Sequence, residues 1–177
     1  MGAINYKTSK FLTLGVNPAF YDFETIKKDY LNNLDYYGMD ADEITENFIN
    51  DQIAFYYECD RENAENILNN YDFNIFSVGI EPGYYEGFSI NIDFDWLYFD
   101  DSNEKRDAQK ELTKLKKCLI DLTNGAGLVV CFPGWCTGYL DYENTLNQIN
   151  EAIKDAREYI RKIPTYYTKY IKNAKEA

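Results

Sequence analysis

Few residues of this chain could carry out acid–base or covalent chemistry, and those few lack the partners that such chemistry needs. The sequence contains no histidine, which is the commonest general base at neutral pH and the commonest metal ligand. Cys136 precedes a predicted helix, where a thiol pKa falls, but no histidine is present to take its proton. Cys131 and Cys136 would supply only half of a zinc site, and Cys59 and Cys118 are scattered elsewhere. We therefore predict a protein that is not an enzyme, with no catalytic residue, no metal and no cofactor.

The loop at residues 133–139 is the second place where chemistry could sit, because it follows an apolar run and precedes a helix. Its glycines and Thr137 could receive an anion at the helix N-terminus, although it lacks a lysine and matches neither the P-loop nor the dinucleotide-binding pattern. The competing interpretation is a tight connection in which Trp135 fills the core. The alternative function that the loop suggests is a small-molecule or nucleotide-binding protein that sequesters its ligand. Together with the tip of a predicted hairpin, its ligand-binding residues would be Tyr84, Tyr85, Trp135, Cys136, Thr137 and Tyr139.

Charge is distributed very unevenly along the chain. Residues 1–101 hold 20 acidic and 5 basic residues, whereas residues 102–177 hold 10 acidic and 13 basic ones, for a net charge of −12. The segment at residues 35–65 carries ten carboxylates and a single cation, Arg61. Such a field repels nucleic acids and membrane surfaces and attracts basic protein surfaces. We therefore predict that the partner is a basic host nucleic-acid-binding protein or nuclease complex, with no direct contact to nucleic acid or membrane.

The predicted partner-binding surface lies within this acidic segment. Carboxylates at solvent-facing helix positions, with tyrosines between them, resemble a phosphate backbone flanked by aromatic faces, which a basic nucleic-acid groove would accept. The competing interpretation is ordinary solubilising charge. Tyr56 and Tyr57 are the predicted anchors, and the complete set of assigned residues is Asp35, Asp40, Asp42, Glu43, Glu46, Asp51, Tyr56, Tyr57 and Glu58.

Hydrophobic periodicity predicts the first elements that position these residues. A strand over residues 10–16 precedes a helix that begins after Asp22 and ends at Gly38. A second helix follows, with Phe55 on its inner stripe, and Asp60 caps a short third one. The acidic residues therefore lie on a helical insertion at about residues 35–70.

The rest of the chain is predicted to combine a hairpin with two long helices. Residues 73–80 and 88–96 alternate between apolar and polar side chains, and a Pro-Gly turn joins them. Asp101 opens a helix through a capping box, the apolar run at 128–132 is a buried strand, and a last helix begins near Asp141.

This order of elements predicts an α+β fold in a single domain over residues 1–177. We expect a four-stranded, mainly antiparallel sheet with helices on one face, in the ferredoxin-like βαββαβ order. The helical insertion would follow strand 1, and the C-terminal helix would be an addition. That helix could pack on the sheet or on a second copy of itself, which leaves a homodimer open.

Two further patterns predict where the protein is found. No stretch approaches 18 apolar residues, and the N-terminus lacks an apolar run behind a basic start. The four cysteines are most simply interpreted as reduced thiols. We therefore predict a cytoplasmic protein, in a bacterial host.

Three segments carry a resemblance to known sequences: residues 1–9 (MGAINYKTS), 80–88 (IEPGYYEGF) and 130–139 (VCFPGWCTGY). They resemble segments of small uncharacterised proteins of phages and mobile elements of Firmicutes, and the resemblance extends over most of the chain. It brings no catalytic residues with it. It implies a genomic setting in which small acidic proteins often block host defence, as anti-CRISPR and antirestriction proteins do. The expected function is therefore a non-enzymatic anti-defence inhibitor.

Overall fold

The computed structural model describes residues 9–16, 21–82, 88–94, 99–132 and 138–165. Within these ranges most residues are helical, and the strands are short. None of the helices described there is long and apolar enough to cross a membrane. In chain order the elements are β1 (Ser9–Val16), α1 (Phe23–Asn32), α2 (Leu34–Tyr37), a short 3₁₀ helix (Ala41–Glu43), α3 (Glu46–Leu68), β2 (Ser77–Pro82), β3 (Phe88–Phe94), α4 (Ser102–Ala126), β4 (Leu128–Phe132), β5 (Gly138–Tyr139) and α5 (Tyr142–Lys162).

The named strands form one antiparallel sheet in the order β2-β3-β1-β4-β5. Six residue pairs join β2 to β3 and six join β3 to β1, but β1 meets β4 over three pairs and β4 meets β5 over two. Leu14 pairs with Ile90 on one side and with Val130 on the other. All three side chains are buried, and they lie in one hydrophobic cluster with residues of α4 and α5, which we call the main core.

The predicted four-stranded, ferredoxin-like sheet is wrong. The described chain is mostly helical, with five α-helices around a small antiparallel sheet whose long ladders join only three strands. The physical reason lies in the segment between β1 and β2. Its helices bury a second core of their own around Ile26, Tyr30, Ile44 and Ile49, so this part of the chain packs helix on helix.

Most predicted helix starts and stops are confirmed, because they depend on local hydrogen bonds. The side chains of Asp22, Asp101 and Asp141 each accept a hydrogen bond from a backbone N–H three residues later. The helix predicted to run from Asp22 to Gly38 is interrupted at Asn33, between α1 and α2. Its predicted end is confirmed: Gly38 ends α2 with a positive φ of 63°, which a residue without a Cβ adopts at little cost. The second hairpin strand, β3, begins at the predicted residue, and β4 coincides with the predicted buried strand. The first hairpin strand, β2, begins at Ser77, four residues later than predicted.

The predicted break in the acidic helices is wrong. Thr45 caps α3, which then continues for 23 residues straight through Asp60, the residue predicted to cap a separate helix. Phe55, predicted to face inward, is 60% exposed. The inward positions are instead those of Ile49 and Ala64, both fully buried, so α3 is one rod whose two ends belong to two different cores.

Small residues let α3 approach α4 closely near its C-terminus. Ala64 of α3 is fully buried in the main core. A Cβ on Gly125 of α4 would lie only 2.8 Å from Cδ1 of Ile67, so the α4 backbone passes directly beneath that side chain. This close crossing sets the direction in which α3 leaves the main core.

Glu111 fixes the segment that leads from α3 into β2. Its side chain is 6% exposed, and its carboxylate accepts hydrogen bonds from the backbone N–H of Asn74 and, at 2.8 Å, from that of Ile75. Nearby, Nζ of Lys114 donates to the carbonyl of Asp72 at 2.6 Å. Two side chains of α4 therefore hold the backbone of residues 72–75, just before β2, in place.

Removal of the Glu111 carboxylate should destabilise the protein strongly. We expect Glu111→Ala to lower the free energy of unfolding by about 2–4 kcal/mol, because two backbone N–H groups lose a charged acceptor that is itself buried. Glu111→Gln keeps one acceptor oxygen and should lose about half as much. Urea denaturation measures both, with Glu151→Ala, an exposed position on α5, as the control. Equal stability of Glu111→Ala and Glu151→Ala would contradict the assigned role.

Candidate functional site

An exposed acidic surface runs over α2, the 3₁₀ helix and α3. Of the ten carboxylates between residues 35 and 65, only Asp60 is partly withdrawn from solvent. We use the term acidic surface for the nine exposed ones: Asp35, Asp40, Asp42, Glu43, Glu46, Asp51, Glu58, Glu62 and Glu65. All the acidic residues assigned from the sequence to partner binding belong to it.

Some of these carboxylates make hydrogen bonds or ion pairs within the protein itself. Oε2 of Glu43 accepts a hydrogen bond from the backbone N–H of Asp40 at 2.7 Å, which closes the start of the 3₁₀ helix. Oε1 of Glu65 lies 3.2 Å from Nε of Arg61, the one ion pair among the described residues. Within the same part of the chain, Asp51, Glu58 and Glu62 make no hydrogen bond or ion pair through their side chains. Together with Glu46, the first residue of α3, which is likewise exposed and without such a contact, these three are the carboxylates of α3 most available to a partner.

Helix geometry places Asp51, Glu58 and Glu62 in one stripe. At 3.6 residues per turn, the three positions fall within a sector of about 40° around the helix axis. At 1.5 Å per residue, they span about 16 Å along it. The stripe is continuous because α3 is a single helix over this length.

The predicted anchors Tyr56 and Tyr57 are half-buried, and both contact Tyr21. The ring of Tyr56 stacks on that of Tyr21 with centroids 5.4 Å apart, and Tyr57 meets it edge-on at 5.2 Å. Tyr56 packs against the second core and Tyr57 against the main core. Both rings therefore hold α3 in place, and only part of each is accessible to a partner.

The strongly exposed aromatic rings of this region are Tyr36 and Phe55, at 85% and 60% exposure. Neither was among the residues assigned to partner binding from the sequence. The sequence does contain a pattern that indicates the exposure of Phe55. If Ile49, Tyr56 and Ala64 form the inward-facing stripe of α3, helix geometry places position 55 on the opposite side of the helix.

A partly buried hydrogen bond supports the aromatic cluster of Tyr21, Tyr56 and Tyr57. The hydroxyl of Tyr21 donates to Oδ2 of Asp60. Burial raises the pKa of Asp60 above its ordinary value, and the hydrogen bond from Tyr21 partly offsets that rise. Burial, followed by the contact with Asp60, raises the pKa of Tyr21 as well. Farther along α1, the hydrogen bond that Tyr37 donates to Asp29 at 2.7 Å raises the pKa of that phenol to about 12.

The cysteines within the described residues have the properties of packing residues. Burial raises the pKa of Cys118 to about 12 and also raises the pKa of Cys131. Cys59 is half-buried on α3. In the described ranges, no group of three His, Cys, Asp or Glu side chains could hold a metal ion.

The alternative ligand site falls mostly outside the described residues. Tyr84, Tyr85, Trp135, Cys136 and Thr137 all lie there, so this site stays a prediction. Tyr139 lies in β5, where it is half-buried and burial raises its pKa.

Two open grooves flank α4, but paired side chains occupy much of their lining. The first, of about 530 Å³, contains Asp121, which accepts a hydrogen bond from Tyr71. The second, of about 640 Å³, contains Glu111 with its two backbone donors. These contacts link α4 to the segment that follows α3.

Comparison of this chain with protein-family models, with curated proteins and with solved structures finds no match. The function therefore has to be inferred from the surface and its chemistry.

The withdrawn carboxylate of Asp60 should leave a signature in the pH dependence of stability. Because its folded pKa is raised above 3.8, the folded state binds more protons than the unfolded state between the two pKa values. The contribution of Asp60 to wild-type stability therefore falls as pH rises through that window, whereas the side chain in Asp60→Asn cannot ionise and still accepts a hydrogen bond from Tyr21. Urea denaturation between pH 3.5 and 7 should show the difference growing in favour of Asp60→Asn.

The exposed Asp155 of α5 supplies the control for this measurement. The stability difference between Asp155→Asn and the wild type should change much less over the same pH range. A difference for Asp60→Asn that stays constant with pH would show that Asp60 is not withdrawn from solvent.

Proposed function

We propose that this chain is a non-enzymatic anti-defence inhibitor, of the anti-CRISPR or antirestriction type, encoded by a phage or mobile element. It binds a basic nucleic-acid-handling host protein through the acidic surface. The observation that carries this proposal is the exposure of nine carboxylates in one helical region whose single cation, Arg61, is already paired with Glu65. The resemblance to phage and mobile-element proteins supports the choice of host defence as the target.

Electrostatics supports a basic protein as the partner. Successive carboxylates of the α3 stripe are about 10 Å and 6 Å apart along the helix axis. Those separations are close to the Debye length of about 8 Å at physiological ionic strength. The electrostatic potentials of neighbouring carboxylates therefore overlap, and a cation of the partner is attracted by more than one of them. The stripe is less densely charged than a DNA strand, which carries one phosphate per about 3.4 Å. The remaining carboxylates of the acidic surface are therefore needed if this surface is to take the place of DNA on a basic protein.

Two properties support a binding role over a catalytic one. The sequence contains no histidine to act as a general base. The raised pKa values of Cys118 and Cys131 disfavour the thiolate, which is the nucleophilic form of cysteine.

Neutralising the α3 stripe should abolish most of the inhibition. Purified restriction enzymes and CRISPR effector nucleases are assayed for DNA cleavage in the presence of this protein. For a sensitive nuclease, the triple variant Asp51→Asn, Glu58→Gln, Glu62→Gln should inhibit about tenfold less well, because three exposed charges at about 0.5 kcal/mol each are lost. Added non-specific duplex DNA should compete with the wild-type protein for the nuclease.

A matched variant separates a local effect from a change in total charge. The variant Glu151→Gln, Asp155→Asn, Glu158→Gln removes three exposed carboxylates from one helix, α5, and changes the net charge by the same amount. It should inhibit as well as the wild type. Equal inhibition by the two triple variants, or no inhibition of any nuclease of either class, would overturn the proposal.

A further inference from the structure

α3 holds the aromatic ring of Phe55 in solvent instead of in a core. The side chain is 60% exposed and belongs to neither hydrophobic cluster. Among the described residues its one ring neighbour is Tyr56, with centroids 6.2 Å apart and planes tilted by 55°. That geometry leaves the ring of Phe55 available for stacking by a flat group from outside.

Carboxylates surround this ring along the helix. Asp51 precedes Phe55 by four residues, and Glu58 and Glu62 follow it by three and seven. Side chains three or four residues apart have Cβ atoms about 5–6 Å from each other, so Asp51 and Glu58 are direct neighbours of the ring. Arg61 lies about 120° away around the helix axis and is paired with Glu65, so it does not compete for the ring.

The ring also stands on a rigid support. Tyr56, the next residue, is fixed by its stacking on Tyr21, whose hydroxyl is bonded to Asp60 of the following turn. A ligand that stacks on Phe55 therefore has to order little of the protein, which lowers the entropic cost of binding.

We infer that Asp51, Phe55, Glu58 and Glu62 form a docking site for arginine side chains of an arginine-rich segment in the partner. This inference rests on the proposed function and names the chemistry that the basic partner presents. A guanidinium is planar and weakly hydrated, so it can stack on an aromatic ring while its edge donates to a neighbouring carboxylate. The ammonium of lysine is a compact, strongly hydrated charge, and it gains less from the same arrangement. The site therefore selects arginine over lysine.

Fluorescent oligo-arginine and oligo-lysine peptides of equal length test this selectivity by fluorescence anisotropy at about 0.15 M salt, where surface charges are partly screened. The wild type should bind the arginine peptide roughly three- to tenfold more tightly, the range expected for a partly desolvated cation–π contact. Phe55→Ala should remove this preference and leave the affinity for the lysine peptide nearly unchanged. Phe55→Tyr, which keeps an aromatic ring, should retain the preference.

Since Phe55 is exposed, Phe55→Ala should fold as the wild type does, which circular dichroism and thermal unfolding verify. Equal affinity of the wild type for the two peptides, or an undiminished preference in Phe55→Ala, would overturn the inference.

Comparison of nuclease inhibition with peptide binding separates this inference from the proposed function. If the triple variant loses nuclease inhibition while Phe55→Ala keeps its arginine preference, the inhibitor proposal stands and the stacking site is wrong. If Phe55→Ala loses the preference while the wild type inhibits no nuclease of either class, the arginine site stands and the inhibitor proposal is wrong.

Discussion

The packing of α3 between two cores is the constraint on which the acidic surface depends. Near its C-terminus, Ala64 is buried in the main core, and the α4 backbone passes under Ile67 at Gly125. Near its N-terminus, Ile49 closes the second core. A rod fixed at both ends cannot bend between them without opening one core. Its outer face therefore presents Asp51, Phe55 and the following carboxylates at constant spacing.

This arrangement carries an electrostatic cost. The segment from residue 35 to residue 65 has a net charge of −9, and its one cation offsets only Glu65 locally. Like charges on a helical surface repel, so the folded state is less stable than the same packing with a balanced surface. A basic partner would remove this repulsion as well as form new ion pairs. Salt acts on both contributions, since it screens the repulsion in the free protein and the attraction in the complex.

The sequence could predict features that depend on a few neighbouring residues. Asp22, Asp101 and Asp141 cap helices because their carboxylates reach a backbone N–H three residues away, and that geometry is local. The predicted break at Asp60 failed because the hydroxyl of Tyr21, 39 residues away, bonds this carboxylate in the middle of a helix. The fold class failed for a related reason: the sheet pairs strands far apart in sequence, and the second core joins α1 to α3. The exposure of the acidic residues followed from their charge, but the exposure of Phe55 depended on which side of α3 faces the two cores.

Rigidity gives the acidic surface a different physical character from a flexible acidic tail of equal charge. A tail would attract any basic protein, but its ordering on binding would cost conformational entropy at each residue. The residues of α3 lose this conformational entropy when the protein folds, and the burial of Ile49 and Ala64 and the stacking of Tyr56 on Tyr21 offset the loss. The carboxylates then keep fixed positions around Phe55, so shape as well as charge decides which cations fit. With the proposed arginine site, such a surface would discriminate between basic partners, because a cation with a flat apolar face would contact the ring and the carboxylates together.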